Sequence, residues 1–235
     1  MRVLTVIVLL LMISGALFAD NLSGVQAAFI DIGFGARAMG MGGAYTAVAE
    51  NAYATSWNPA GINWQKDKLS LAFSNVKLWN IINYNQFAYV YNFNKGVAVG
   101  QMVVSSGDDI MSETSIYTVA AVTGNMIPGL SKFKISSNLS FGLGIKYFSS
   151  NFGNNDDGSY IDEMGEHQVT GNSNGYGVDF ALNWRITEKD RLGIILRNGI
   201  NNIAWNSKNE VKTAQGKYDE SLPAELIFGY AKYIT

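Results

Sequence analysis

From Lys68 onward the chain alternates apolar and polar residues with a period of two. Tyr176, Val178, Phe180, Leu182, Trp184 and Ile186 fall on one side, and Gly177, Asp179, Ala181, Asn183 and Arg185 on the other. Leu139, Phe141, Leu143, Ile145 and Tyr147 repeat the pattern against Ser140, Gly142, Gly144 and Lys146, and Phe87, Tyr89, Tyr91 and Phe93 make a third, aromatic face. Such alternation predicts strands with one apolar side. Eight are expected, at about 67–75, 84–93, 97–106, 113–123, 134–150, 173–187, 191–201 and 223–234. Several exceed the usual ~5–6 residues of soluble strands and approach the ~9–11 that cross a bilayer obliquely.

The connections sort by length. Asn94-Lys95-Gly96 and Thr187–Asp190 are short and fall at one end of the strands, while 76–83, 107–112, 151–172 and 202–222 are longer and fall at the other. Residues 124–133 are the exception at the short end. Short inner turns with long outer loops characterise transmembrane barrels. Tyr147, Phe148 and Phe152 near one strand end and Trp184 near another are candidates for aromatic girdles. A soluble β-sandwich also alternates, but strand length favours the barrel.

Composition points the same way. Charged residues make up 15% of the chain, against ~25% in a typical soluble domain. Mean hydropathy is nevertheless near zero, too polar for a helical membrane protein. The formal charge of −2 gives no electrostatic reason to expect nucleic acid as a partner. Cysteine is absent, which excludes thiol chemistry, Cys-zinc sites and a lipoprotein anchor. At the N-terminus, Arg2, the apolar run Val3–Phe18 and Ala19 make an export-signal pattern, too short for the ~20 residues of a spanning helix. The predicted organisation is a signal peptide at 1–19, a separate segment at 20–66 and strands at 67–235.

The separate segment contains the most specific pattern in the chain. Residues 29–62, FIDIGFGARAMGMGGAYTAVAENAYATSWNPAGI, are rich in Gly and Ala, carry Arg37 in their middle and close on Trp57-Asn58-Pro59-Ala60-Gly61. This resembles the N-terminal plug, or hatch, of FadL-type outer-membrane proteins, in particular their PorV/PorQ-like branch. The resemblance implies an all-β fold: an antiparallel transmembrane β-barrel with an N-terminal plug in the cell outer membrane. It also implies about fourteen strands where eight are read, hence a partial barrel that is truncated, split or completed by another chain. A closed barrel of ~8 strands has an interior filled by side chains alone.

The resemblance implies passive uptake of hydrophobic small molecules such as long-chain fatty acids. The alternative is a PorV-like interaction protein serving secretion-system proteins or surface attachment. Outer-membrane lipid and a hydrophobic small-molecule ligand are the expected partners, and no cofactor is implied. Candidate ligand or plug residues are Phe29, Phe34, Arg37, Met39, Met41, Asn58 and Pro59. For each, simple anchoring of the plug is the plainer reading beside ligand contact. A guanidinium in a barrel interior needs a partner; for Arg37 that is a lumen Asp or Glu, or a fatty-acid carboxylate.

Enzyme chemistry finds little material, and no catalytic or metal site is assigned. The single histidine, His167, stands in Gly165-Glu166-His167, and neither an H-E-x-x-H nor a G-x-S-x-G pattern occurs. Gly33-Phe34-Gly35 begins a dinucleotide fingerprint without its third glycine or a βαβ unit. Asn155-Asp156-Asp157-Gly158 resembles a calcium loop, but Gly153 and Met164 occupy its end positions, so it reads as an acidic solvated loop.

Overall fold

In the computed structural model the described residues are 33–78, 82–93, 96–107, 111–152, 159–162, 165–209 and 214–234. The signal-peptide pattern, Phe29 and residues 155–158 of the calcium-like loop lie outside them, while residues 159–162 of that loop are described and form a strand. Gly33–Thr235 form one compact unit. It opens with short helices α1 (Ala36–Gly40) and α2 (Ala54–Trp57) and a 3-10 helix, η1 (Pro59–Trp64). Strands follow: β1 (Leu69–Leu78), β2 (Ile82–Asn92), β3 (Val97–Gly107), β4 (Met111–Thr123), β5 (Leu139–Phe152), β6 (Ser159–Asp162), β7 (Gly165–Arg185), β8 (Asp190–Asn209), β9 (Ala214–Glu220) and β10 (Glu225–Lys232). Among the described residues, no helix is long and apolar enough to cross a membrane.

All pairings are antiparallel, in the order β1-β2-β3-β4-β5-β7-β8-β10, with β6 paired to β7 and β9 to β8. The eight predicted strands are all present. The last of them is β10, which pairs with β8 over 190–197, whereas β9 is an additional strand that pairs with β8 over 203–209. At the break between these two pairings, Asn201 replaces the ladder: its Nδ2 donates to the Leu222 carbonyl (3.0 Å) and its Oδ1 accepts from the Leu222 nitrogen (2.5 Å). The sheet is not closed, and β1 and β10 are its edges among the described residues.

Three expectations are corrected. The segments 151–172 and 202–222 are mostly strand rather than loop: β5 runs to Phe152, β7 starts at Gly165, and β8 and β9 form a long hairpin. Their Asn- and Ser-rich composition reads as loop, but backbone pairing needs no apolar face, and Trp205 stacked on Tyr218 (6.1 Å) pins the second hairpin. The fifth strand starts at Leu139, not 134, because 124–138 form short 3-10 turns. Finally, Phe148 and Phe152 do not join Tyr147 on the outer face. Alternation turns them inward, and Phe148 is fully buried.

The two faces have inverted polarity. The exposed face carries Leu71, Phe73, Phe87, Tyr89, Leu143, Ile145, Phe180 and Phe228. The buried face carries Gln86, Ser115, Ser140, Lys146, Ser150, Asp179 and Asn183, mixed with Ala88, Met102 and Tyr117. On the exposed face, register aligns Phe73, Phe87, Val103, Ile116, Tyr147 and Tyr176 across six strands. One step beyond them stand Asn75, Asn85, Ser105, Thr114, Ser149 and Asn174. The apolar surface therefore ends along one line.

What lies on the polar face is the chain's own segment 33–65. Its backbone touches the sheet where side chains are missing. A Cβ on Gly142 would sit 2.3 Å from the Ala60 nitrogen, and one on Gly193 would sit 2.4 Å from the Thr46 oxygen. Both sheet edges meet this segment: the Ala52 nitrogen donates to Ser70 Oγ on β1 (3.2 Å), and a Cβ on Gly229 of β10 would lie 3.0 Å from the Ala47 nitrogen. Five residues of chain reach at most ~18 Å, whereas the edges of a flat sheet of this width would stand ~34 Å apart. The sheet must therefore curl around segment 33–65.

Candidate functional site

The site is the contact between this inner segment and the sheet. The Pro at the start of η1 suits a helix N-terminus, where its missing N–H costs nothing. Asn58 caps that helix, its Oδ1 accepting from the Ala60 nitrogen (3.1 Å). Its Nδ2 donates to the Thr46 carbonyl (2.8 Å) and across to the Leu182 carbonyl on β7 (3.2 Å). The residue is fully buried. From β5, Ser140 Oγ donates to the Ala60 carbonyl (2.7 Å), and from β7, Asn183 Nδ2 donates to the Ala47 carbonyl (3.2 Å). Asn63 Nδ2 donates to the Gly96 carbonyl (3.1 Å), and Asn92 Nδ2 donates to the Asn63 carbonyl (3.1 Å). Asn58 and Pro59 thus stand in the anchoring position.

The charged link is Glu50. Its Oε2 accepts from Arg191 Nη1 (2.7 Å) and Arg185 Nη2 (3.1 Å), on β8 and β7. Arg185 also donates to the Trp64 carbonyl (3.2 Å) and lies over the Trp64 ring at 4.5 Å, while Arg191 lies over Tyr233 at 4.8 Å. Deeper in the sheet, Lys146 Nζ pairs with Asp179 (2.8 Å) and donates to Asn198 Oδ1 (3.0 Å). Asp179 in turn accepts from the Asn198 nitrogen (2.8 Å), holding that residue at φ 50 where the β7–β8 register shifts. Asparagine tolerates this left-handed backbone better than most residues.

The remaining candidates divide. Phe34 is buried, its carbonyl accepting from Trp57 Nε1 (2.9 Å). Arg37, Met39 and Met41 are exposed around α1, with Met39 at 55% and Met41 at 42%. The Arg37 guanidinium lies 5.6 Å from the Tyr45 ring centre, and burial pushes the Tyr45 phenol up. No acidic side chain pairs with Arg37 among the described residues; Glu50 is engaged elsewhere. His167 lies in the β6–β7 ladder opposite Tyr160.

Sequence reasoning missed Glu50, Arg185 and Arg191. The available signal was Glu50 itself, the single carboxylate of the Ala- and Gly-rich segment 33–65. Arg185 was placed on the polar side of its strand, but nothing in the pattern paired it with a residue far earlier in the chain. The chain matches no protein-family profile, no curated protein and no solved structure.

Proposed function

We propose that this chain is part of the wall and plug of a FadL-like outer-membrane barrel that admits hydrophobic small molecules such as long-chain fatty acids. The observation that carries the reading is the inverted polarity: apolar side chains outside, polar ones inside against residues 33–65. In water a surface of this kind is a liability; in lipid it is what a spanning strand requires. The apolar stretch Leu139–Tyr147 of β5 spans ~27 Å along the strand, or ~20 Å at a tilt of about 40°. That is close to the ~25 Å apolar band of transmembrane barrels.

Within the plug, Arg37 flanked by Met39 and Met41 offers one cation in an adaptable apolar setting. An amphiphile with a carboxylate head fits that chemistry. Among the described residues the long hairpins carry mainly Asn, Ser, Thr and Lys around the Trp205–Tyr218 stack, a polar surface that favours transport over a secretion-partner role.

The test is reconstitution of the chain into liposomes loaded with a fatty-acid-sensitive dye. Oleate should enter faster than into protein-free vesicles, and an Arg37→Ala variant should enter more slowly than wild type. Correctly inserted protein that leaves oleate entry unchanged would overturn the transport reading. Failure to insert would overturn the membrane reading itself.

A further inference from the structure

The exposed face changes character within two residues on β5, β7 and β8. Ile145, Val178 and Ile200 align in one row. Tyr147, Tyr176 and Asn202 form the next, and Ser149, Asn174, Ala204 and Asp219 the one after. Then come Asn151, Asn172, Asn206 and Lys217, side by side on four strands, with Asn206 Nδ2 donating to Asn172 Oδ1 (3.4 Å). Thr170 and Lys208 are paired one row further. Tyr147 marks the transition physically: its ring sits on the apolar side and its hydroxyl donates to Asn174 Oδ1 (2.8 Å).

A cleft of about 430 Å³ lies in this region. Asn151, Thr170, Asn172, Asn206, Lys208 and Lys217 line it and alternate onto the exposed face. Gly171, Ser207 and Gly216 complete its lining, two of them without side chains. Among the described residues the lining holds two ammonium groups and three carboxamides and no carboxylate; Asp219 stands one step nearer the tyrosines on the same face.

We propose that this cleft binds the phosphorylated, hydroxyl-bearing head group of a membrane lipid, the acyl chains lying along the Tyr147–Tyr176 and Ile145–Val178 rows. The proposal rests on the membrane reading above. Placement selects the ligand: the cleft opens directly beyond the line where the apolar face ends, the level at which an embedded barrel meets head groups. Chemistry agrees with placement. Lysine ammonium groups meet phosphate as point charges, and an asparagine offers both donors and an acceptor to hydroxyls. A soluble anion would gain nothing from the adjacent apolar rows.

The test uses the full chain folded in neutral detergent, with retained lipid counted by native mass spectrometry. Phosphatidylglycerol should be retained in preference to phosphatidylcholine. K208A/K217A should weaken phosphatidylglycerol retention by roughly fivefold per lysine and leave phosphatidylcholine retention unchanged, and K208R/K217R should restore it. Equal phosphatidylglycerol retention by wild type and K208A/K217A would overturn the site. Displacement of the lipid by millimolar sodium phosphate would assign a free anion instead. Chain that yields no folded, detergent-soluble species would remove the membrane reading, and this site with it.

Discussion

Glu50→Gln isolates the charged link between inner segment and sheet. In the native structure one carboxylate oxygen accepts from two guanidinium groups at 2.7 and 3.1 Å. The amide keeps the shape and one acceptor but removes the charge, leaving Arg185 and Arg191 facing each other uncompensated. A hydrogen bond to a charged group contributes ~1.5–3 kcal/mol when buried. Here the side chains are 23% (Glu50), 34% (Arg185) and 15% (Arg191) exposed, so solvent screening discounts both bonds. About 2 kcal/mol in total is the resulting expectation. With a urea slope of about 2 kcal/mol/M, that moves the midpoint down by ~1 M.

The assay is the fraction of compact, heat-modifiable band on a semi-native gel after equilibration in urea, in detergent. Arg191→Gln should destabilise similarly, and the double variant should cost less than the two changes summed, because the second removes a partner already lost. An unmoved Glu50→Gln midpoint, or strict additivity in the cycle, would refute the claim that this contact holds the inner segment to the sheet.

Two glycines on one strand separate contact from composition. Gly142→Ala should lower the yield of compact band sharply, since its Cβ would meet backbone at 2.3 Å, whereas Gly144→Ala, with nothing nearer than 3.4 Å, should be tolerated; equal behaviour would mean η1 does not rest on β5. Asn58→Ala removes a cap and two inward donations from a fully buried residue and should cost about 2–4 kcal/mol, read in the same urea titration. Phe228→Arg tests the outer face: at 64% exposure the change should be harmless in a soluble protein, but in lipid it should cost ~2–4 kcal/mol and reduce insertion into vesicles. Arg37→Ala should weaken oleate binding by roughly tenfold, measured by fluorescence displacement, with the urea midpoint unchanged.

Much of the fold is written in the period-two pattern. Apolar alternation at 139–147 and 176–186 marks β5 and β7 because adjacent strand residues face opposite ways. In 165–174 Val169 is too isolated among polar residues and Gly to show alternation, and in 202–209 only Ile203 and Trp205 mark an apolar face amid Asn, Ser and Lys. Pairing there is set by a neighbour across the hairpin, not by the local sequence. The Gly- and Ala-rich stretch announces close packing but not its partner. Only folding brings Glu50 to Arg185 and Arg191, Asn58 to Leu182, and the Ala60 backbone against Gly142. Hydrophobic pattern alone also leaves open which face is outside, because apolar alternation serves a buried core as well as a lipid-facing surface. Segment 33–65 decides it: its backbone must satisfy its polar groups, and the polar face supplies the donors and the side-chain-free surface that allow it to lie there.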